Sequence, residues 1–180
     1  MSAKEIQKLI ERLNIVVADQ NQHARKLTRM MLMNIGAKSI YEAADGVVAL
    51  DIIRTANPDV AILDWEMPLV NGHDIIRIVR SPGVFPKPDL PMILLTAGAD
   101  RSRVNEAIRL GVHEFLCKPT SPGALRERLV SILVKPRPMV QIGKYYVPKL
   151  RRSAVQHGLG HTNELSKSRP DDGREKSQAR

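Results

Sequence analysis

Aromatic side chains are scarce: one Trp, three Tyr and two Phe make up 3% of the chain. Any core must therefore be aliphatic and rich in methionine, and a hydrophobic fraction of 43% is enough to build one. A single cysteine, Cys117, excludes an internal disulfide framework and fits a reducing cytoplasm. Its place in a predicted strand reads as a small buried hydrophobe. No apolar run approaches the roughly 20 residues that span a bilayer. The start, Met1-Ser2-Ala3-Lys4-Glu5, lacks the basic-then-apolar layout of a signal peptide. At 180 residues, the expectation is one cytoplasmic domain with extensions and no membrane partner.

The net charge of +9 is unevenly distributed. Residues 1–135 carry 18 Lys and Arg against 15 Asp and Glu, whereas residues 136–180 carry 10 against 4. A basic tail of this kind reaches for nucleic acid or an acidic protein surface, or simply stays solvated. Residues 151–180 are polar, nearly free of large apolar side chains, and read as disordered. They offer no apolar stripe for a helix-turn-helix, so nucleic-acid binding is not the expected role. Within the tail, the run from Lys144 to Arg152 mixes tyrosines with basic residues. It reads as a strand-like segment lying back on the domain.

Three regions follow: a short amphipathic helix within 1–13, a domain over 14–135 and a basic, mostly disordered tail over 136–180. In the first, Ile6, Leu9, Ile10 and Leu13 form one apolar stripe, which packs on its own domain or against a second copy. From Ile15 the chain alternates strand and helix five times. Gly36, Asn57-Pro58 and Gly111 close helices, Ser121-Pro122 opens the last one, and four prolines keep 81–91 irregular. Regular alternation predicts an α/β fold: a doubly wound, flavodoxin-like parallel sheet of five strands in the order 2-1-3-4-5 with helices on both faces.

Four of the apolar runs end on residues suited to phosphoryl chemistry. Ile15-Val16-Val17-Ala18 leads to Asp19, Val60-Ala61-Ile62-Leu63 to Asp64, Met92-Ile93-Leu94-Leu95 to Thr96, and Phe115-Leu116-Cys117 to Lys118. Strand carboxyl ends are where open α/β sheets bind ligands. Asp64 can accept a phosphoryl group as an acyl phosphate, and hard oxygen ligands such as Asp19 suit Mg²⁺. Thr96 supplies a hydroxyl and Lys118 a point charge. Each residue alone is weak evidence; four on successive strands of one sheet are not an accident.

Over residues 14–135 the chain resembles the receiver domains of bacterial two-component response regulators. The matching residues are Val17-Ala18-Asp19, Asp64-Trp65-Glu66-Met67-Pro68 with Asn71-Gly72, Thr96-Ala97 and Lys118-Pro119. The resemblance implies phosphotransfer from the phosphohistidine of a sensor histidine kinase or phosphotransfer protein to Asp64, with Mg²⁺ or Mn²⁺ required. It implies metal contacts from Asp19, Asp64 and the Glu66 backbone carbonyl. Thr96 and the aromatic Phe115 would form the switch, reshaping the face made by the fourth-strand helix, the fifth strand and the last helix. A downstream protein, or a second copy in a homodimer, would bind there. The 45 residues after 135 are too few and too polar for an output domain, so the expectation is a stand-alone phosphoacceptor that catalyses its own phosphorylation and dephosphorylation and is not otherwise an enzyme.

One position departs from the family. Gln20 stands where a second acid is usual, so it adds no negative charge and at best a weak carbonyl ligand. Metal affinity is expected to fall. The Glu66 side chain either restores the missing carboxylate or points to solvent. Three functions remain open: a working acceptor, a degenerate receiver that acts by binding alone, and a nucleic-acid binder using the basic tail.

Overall fold

The computed structural model describes residues 1–98 and 101–149. The disorder expected of residues 151–180 lies outside the described residues. Five parallel strands make the sheet: β1 (Asn14–Ala18), β2 (Ser39–Ala43), β3 (Val60–Asp64), β4 (Met92–Thr96) and β5 (Glu114–Cys117). Their order is β2-β1-β3-β4-β5, the predicted doubly wound arrangement. The central strands β3 and β4 are buried throughout, which is why they read as unbroken apolar runs.

Helices cover both faces. On one side α3 (Gly46–Thr55), α4 (Gly72–Arg80) and α5 (Arg101–Leu110) pack over Val16, Ala61, Leu63, Met92 and Leu94. On the other, α1 (Ala3–Arg12), α2 (Gln22–Asn34) and α6 (Pro122–Val134) cover Ile15, Val17, Ile62, Ile93 and Leu95. Successive residues of one strand thus feed opposite cores, as the period of two requires. Helix α1 packs on its own domain. Ile10 is fully buried, the Gln7 side chain donates to the Ile35 carbonyl (3.1 Å), and Ser2 with Glu5 forms a capping box.

Arg80, at the end of α4, is fully buried. Its guanidinium donates to the carbonyls of Pro88 (2.7 Å), Leu90 (2.8 Å) and Gly111 (3.0 and 3.1 Å). One side chain therefore ties the proline-rich loop to the turn that ends α5. Burial pushes this guanidinium down to about 9, with the Asp89 charge opposing, so it stays charged at neutral pH.

Two expectations need correction. The folded region does not stop near residue 135: β6 (Met139–Ile142) and β7 (Tyr145–Pro148) pair as an antiparallel hairpin. It packs on α4 and α5, with Val147 and Pro148 buried and Arg137 donating to the carbonyls of Val112 and His113. Gly111 permits the approach: it sits at φ +93°, and a Cβ there would meet the Tyr146 carbonyl at 3.1 Å. The strand-like reading of the run from Lys144 to Arg152 holds for Tyr145–Pro148, the run's last three residues lie outside the described residues, and β6 was not expected. Cys117 is exposed rather than buried, because β5 is an edge strand whose last residue faces out.

Candidate functional site

The carboxyl ends of β1, β3, β4 and β5 meet at one edge of the sheet. Asp64 closes β3, and the chain then turns sharply through Pro68 and Asn71 into α4. Asn71 caps that helix by accepting from the Asp74 amide (2.9 Å). Gly72 is required because a Cβ would stand 2.2 Å from the Asp64 carbonyl oxygen. Leu69, strongly exposed, takes a left-handed φ of 65° in the same turn. A strained residue of this kind persists because the surrounding loop holds it.

Asp19 is fully buried and firmly oriented. Its Oδ1 accepts from the Asn21 amide (2.8 Å), and Arg25 donates to its backbone carbonyl (2.6 Å) while pairing with Glu42. From the end of β5, Lys118 Nζ donates to Asp19 Oδ2 (2.6 Å) and lies 2.8 Å from Asp64 Oδ1. Three of the four expected groups are therefore joined directly. Thr96 stands on the same edge, but its hydroxyl is engaged by its own loop: it donates to the Gly98 carbonyl (2.8 Å) and accepts from the Gly98 amide (3.2 Å). Phe115 is half-buried and packs against the core beneath α3, α4 and α5.

Burial raises the Asp64 carboxyl above its ordinary value. The Lys118 hydrogen bond opposes that shift, and the nearby Asp19 charge adds to it. Burial also acts against the Lys118 ammonium, but its hydrogen bonds to Asp19 and Asp64 outweigh burial and hold it above the usual lysine range. A raised folded value means the ammonium contributes stability throughout the neutral range. On the alkaline side that contribution is lost as pH climbs through the folded value, above roughly 10.4. Lys118→Met leaves two carboxylates facing each other without a cation. Its urea midpoint is expected to fall at neutral pH and to recover toward wild type in acid, where Asp64 protonates. A deficit independent of pH would contradict this account.

Gln20 and Glu66 differ from expectation. The Gln20 amide nitrogen donates to the Glu66 backbone carbonyl (3.0 Å), so its NH₂ group, not its oxygen, faces that group. The Glu66 carboxylate does not supply the missing acid: it turns away to Arg103 of α5, at 3.2 Å, where a guanidinium offers a better partner than two neighbouring carboxylates. Among the described residues, no three His, Cys, Asp or Glu side chains gather closely enough to hold a metal ion. The available hard donors are two carboxylates and one backbone carbonyl, a set that fits a largely hydrated Mg²⁺. Asn21, Arg25 and Arg103 were not singled out from sequence. Only Asn21, a capping residue before α2, left a local signal. Trp65 stands at the rim, lining an open cavity of about 380 Å³ with Gln20, Glu66, Met67, Pro68 and Asn71.

Residues 15–130 match the family described as the response regulator receiver domain. A chemotaxis protein CheY homolog of Campylobacter jejuni is 32% identical over 123 residues, covering 67% of this chain and 92% of that protein. The receiver domain of a response regulator from Geobacillus stearothermophilus superposes with a TM-score of 0.59 at 29% identity, covering 68% of this chain and 94% of that one. The receiver domain of a sensor histidine kinase from Pseudomonas aeruginosa, solved with a magnesium ion in its active-site cleft, shares the fold at 23% identity. Its TM-score is 0.59, with 66% of this chain and 94% of that one covered. Among the described residues, no helix is long and apolar enough to cross a membrane.

Proposed function

The chain belongs to the receiver domain family of response regulators, and on that premise we propose that it is a phosphoacceptor switch of a two-component phosphorelay. The observation that carries the proposal is the joining of Asp19 and Asp64 through one ammonium, Lys118, at the carboxyl edge of the sheet. Asp64 is the nucleophile: a carboxylate oxygen bonds to phosphorus as the phosphorus–nitrogen bond of the donor phosphohistidine breaks. The electron pair leaves with the imidazole, and Lys118 balances charge on the new acyl phosphate.

Asp19, Asp64 and the Glu66 carbonyl are the residues that would hold Mg²⁺ or Mn²⁺, a hard-oxygen donor set suited to such ions. The cation supplies charge neutralisation for the incoming phosphoryl group. Thr96 then exchanges its bond to Gly98 for one to a phosphoryl oxygen. Phe115 follows inward, and the face made by α5, β5 and α6 changes shape. A histidine kinase or phosphotransfer protein is the donor, and a downstream protein or a second copy reads the changed face. The protein acts in the cytoplasm and turns over no separate substrate.

A second reading, a pure binding module, is favoured by Gln20 alone. Incubation with acetyl phosphate and magnesium, followed by phosphate-affinity electrophoresis, separates the two. The expected result is a retarded band that is absent with EDTA and removed by hydroxylamine, which cleaves acyl phosphates. No such band from the intact chain leaves the binding module.

A further inference from the structure

The three groups that would hold the cation, Asp19, Asp64 and the Glu66 carbonyl, are already met by nitrogen donors of this chain. Lys118 serves Asp19 and Asp64, and the Gln20 amide serves the Glu66 carbonyl. Glu66 is held a second time from the opposite side, through its carboxylate and Arg103. Gln20 thus clasps the loop after β1 to the loop after β3 through the backbone oxygen that a cation would recruit. An acid at position 20 would do the reverse, repelling that carbonyl and attracting the cation.

We propose that Gln20 is a positioning residue that competes with the divalent cation for the Glu66 carbonyl and so sets a high cation threshold for phosphoryl acceptance. The proposal rests on the phosphoacceptor reading and deepens it. Gln20 weakens cation binding in two separable ways, by lacking charge and by donating a hydrogen bond where a cation would sit. Removing only the donor isolates the second effect. Gln20 is exposed, so substitution leaves the fold intact.

Magnesium binding to wild type and to Gln20→Met is measured by isothermal titration calorimetry. Met has nearly the same length and neither charge nor donor. The net worth of one neutral hydrogen bond predicts tightening by about threefold to tenfold in Gln20→Met. Without added magnesium, the Glu66 and Met67 amides should also exchange hydrogen faster in that variant. Equal or weaker magnesium binding in Gln20→Met overturns the competition and assigns Gln20 no role or that of a ligand. If neither protein binds magnesium, the phosphoacceptor reading falls and this inference falls with it.

Discussion

Asp64→Asn is expected to abolish phosphoryl acceptance and, in the same protein, to raise thermal stability at neutral pH. The first effect follows from chemistry, since an amide oxygen is too poor a nucleophile to form the acyl phosphate. The second follows from burial. Asp64 is 8% exposed, its carboxyl is raised chiefly by desolvation, and the Asp19 charge adds to the cost. Its folded value lies above the unfolded one, so the ionised form disfavours folding wherever pH exceeds the folded value. That penalty vanishes once pH falls below the unfolded value, roughly 3.9. The variant's advantage should therefore be full at neutral pH and disappear in acid. Lys118 keeps Asp19 as a partner, so the substitution does not strand an ammonium. Phosphate-affinity electrophoresis and melting curves across pH check both halves. A retarded band in the variant, or a lower melting temperature at neutral pH, would contradict the assignment.

Arg80→Met should be the most destabilising single change outside the site. Three carbonyls would lose their donor, those of Leu90 and Gly111 buried and that of Pro88 partly buried. Each buried acceptor left without a partner costs on the order of 1–3 kcal/mol. Relief from burying a cation returns part of this, leaving a net loss of about 3 kcal/mol. Arg80→Lys should recover little, because an ammonium cannot spread three separate hydrogen bonds as the guanidinium fork does. Gly111 lies beneath β7, so hydrogen exchange over residues 139–148 should rise in step. A shift below about 1 kcal/mol in urea unfolding would mean that the cost of burying the charge offsets its hydrogen bonds.

Much of the sheet and the site was legible from local pattern. β1, β3 and β4 are runs of apolar residues because both of their faces are covered, and a run that stops at a polar residue marks the edge. Asp19, Asp64, Thr96 and Lys118 are named by that rule alone. β5 was harder. As an edge strand it is only partly buried, so Cys117 points outward although the run resembles the others. The hairpin at residues 139–148 was harder still. Its strands are four residues long with only two of the eight residues buried, and a lone two-stranded hairpin is marginal in water. Its order comes from docking Val147 and Pro148 on α4 and α5, which no local pattern announces.

Local pattern in the chain was enough to place the five βα units, the helix ends and the four polar residues at the sheet's edge, and it fits the observed strand order. Short-range periodicity marks strands and helix ends, and right-handed parallel connections limit the sheet orders open to five such units. How those residues are used depends on contacts that span the folded chain. Gln20 meets a carbonyl 46 residues away, Glu66 meets Arg103 37 residues away, and Arg80 reaches Gly111 31 residues away. Which atom of a side chain finds which partner depends on competition among all groups within reach, and that competition exists only once the chain has folded.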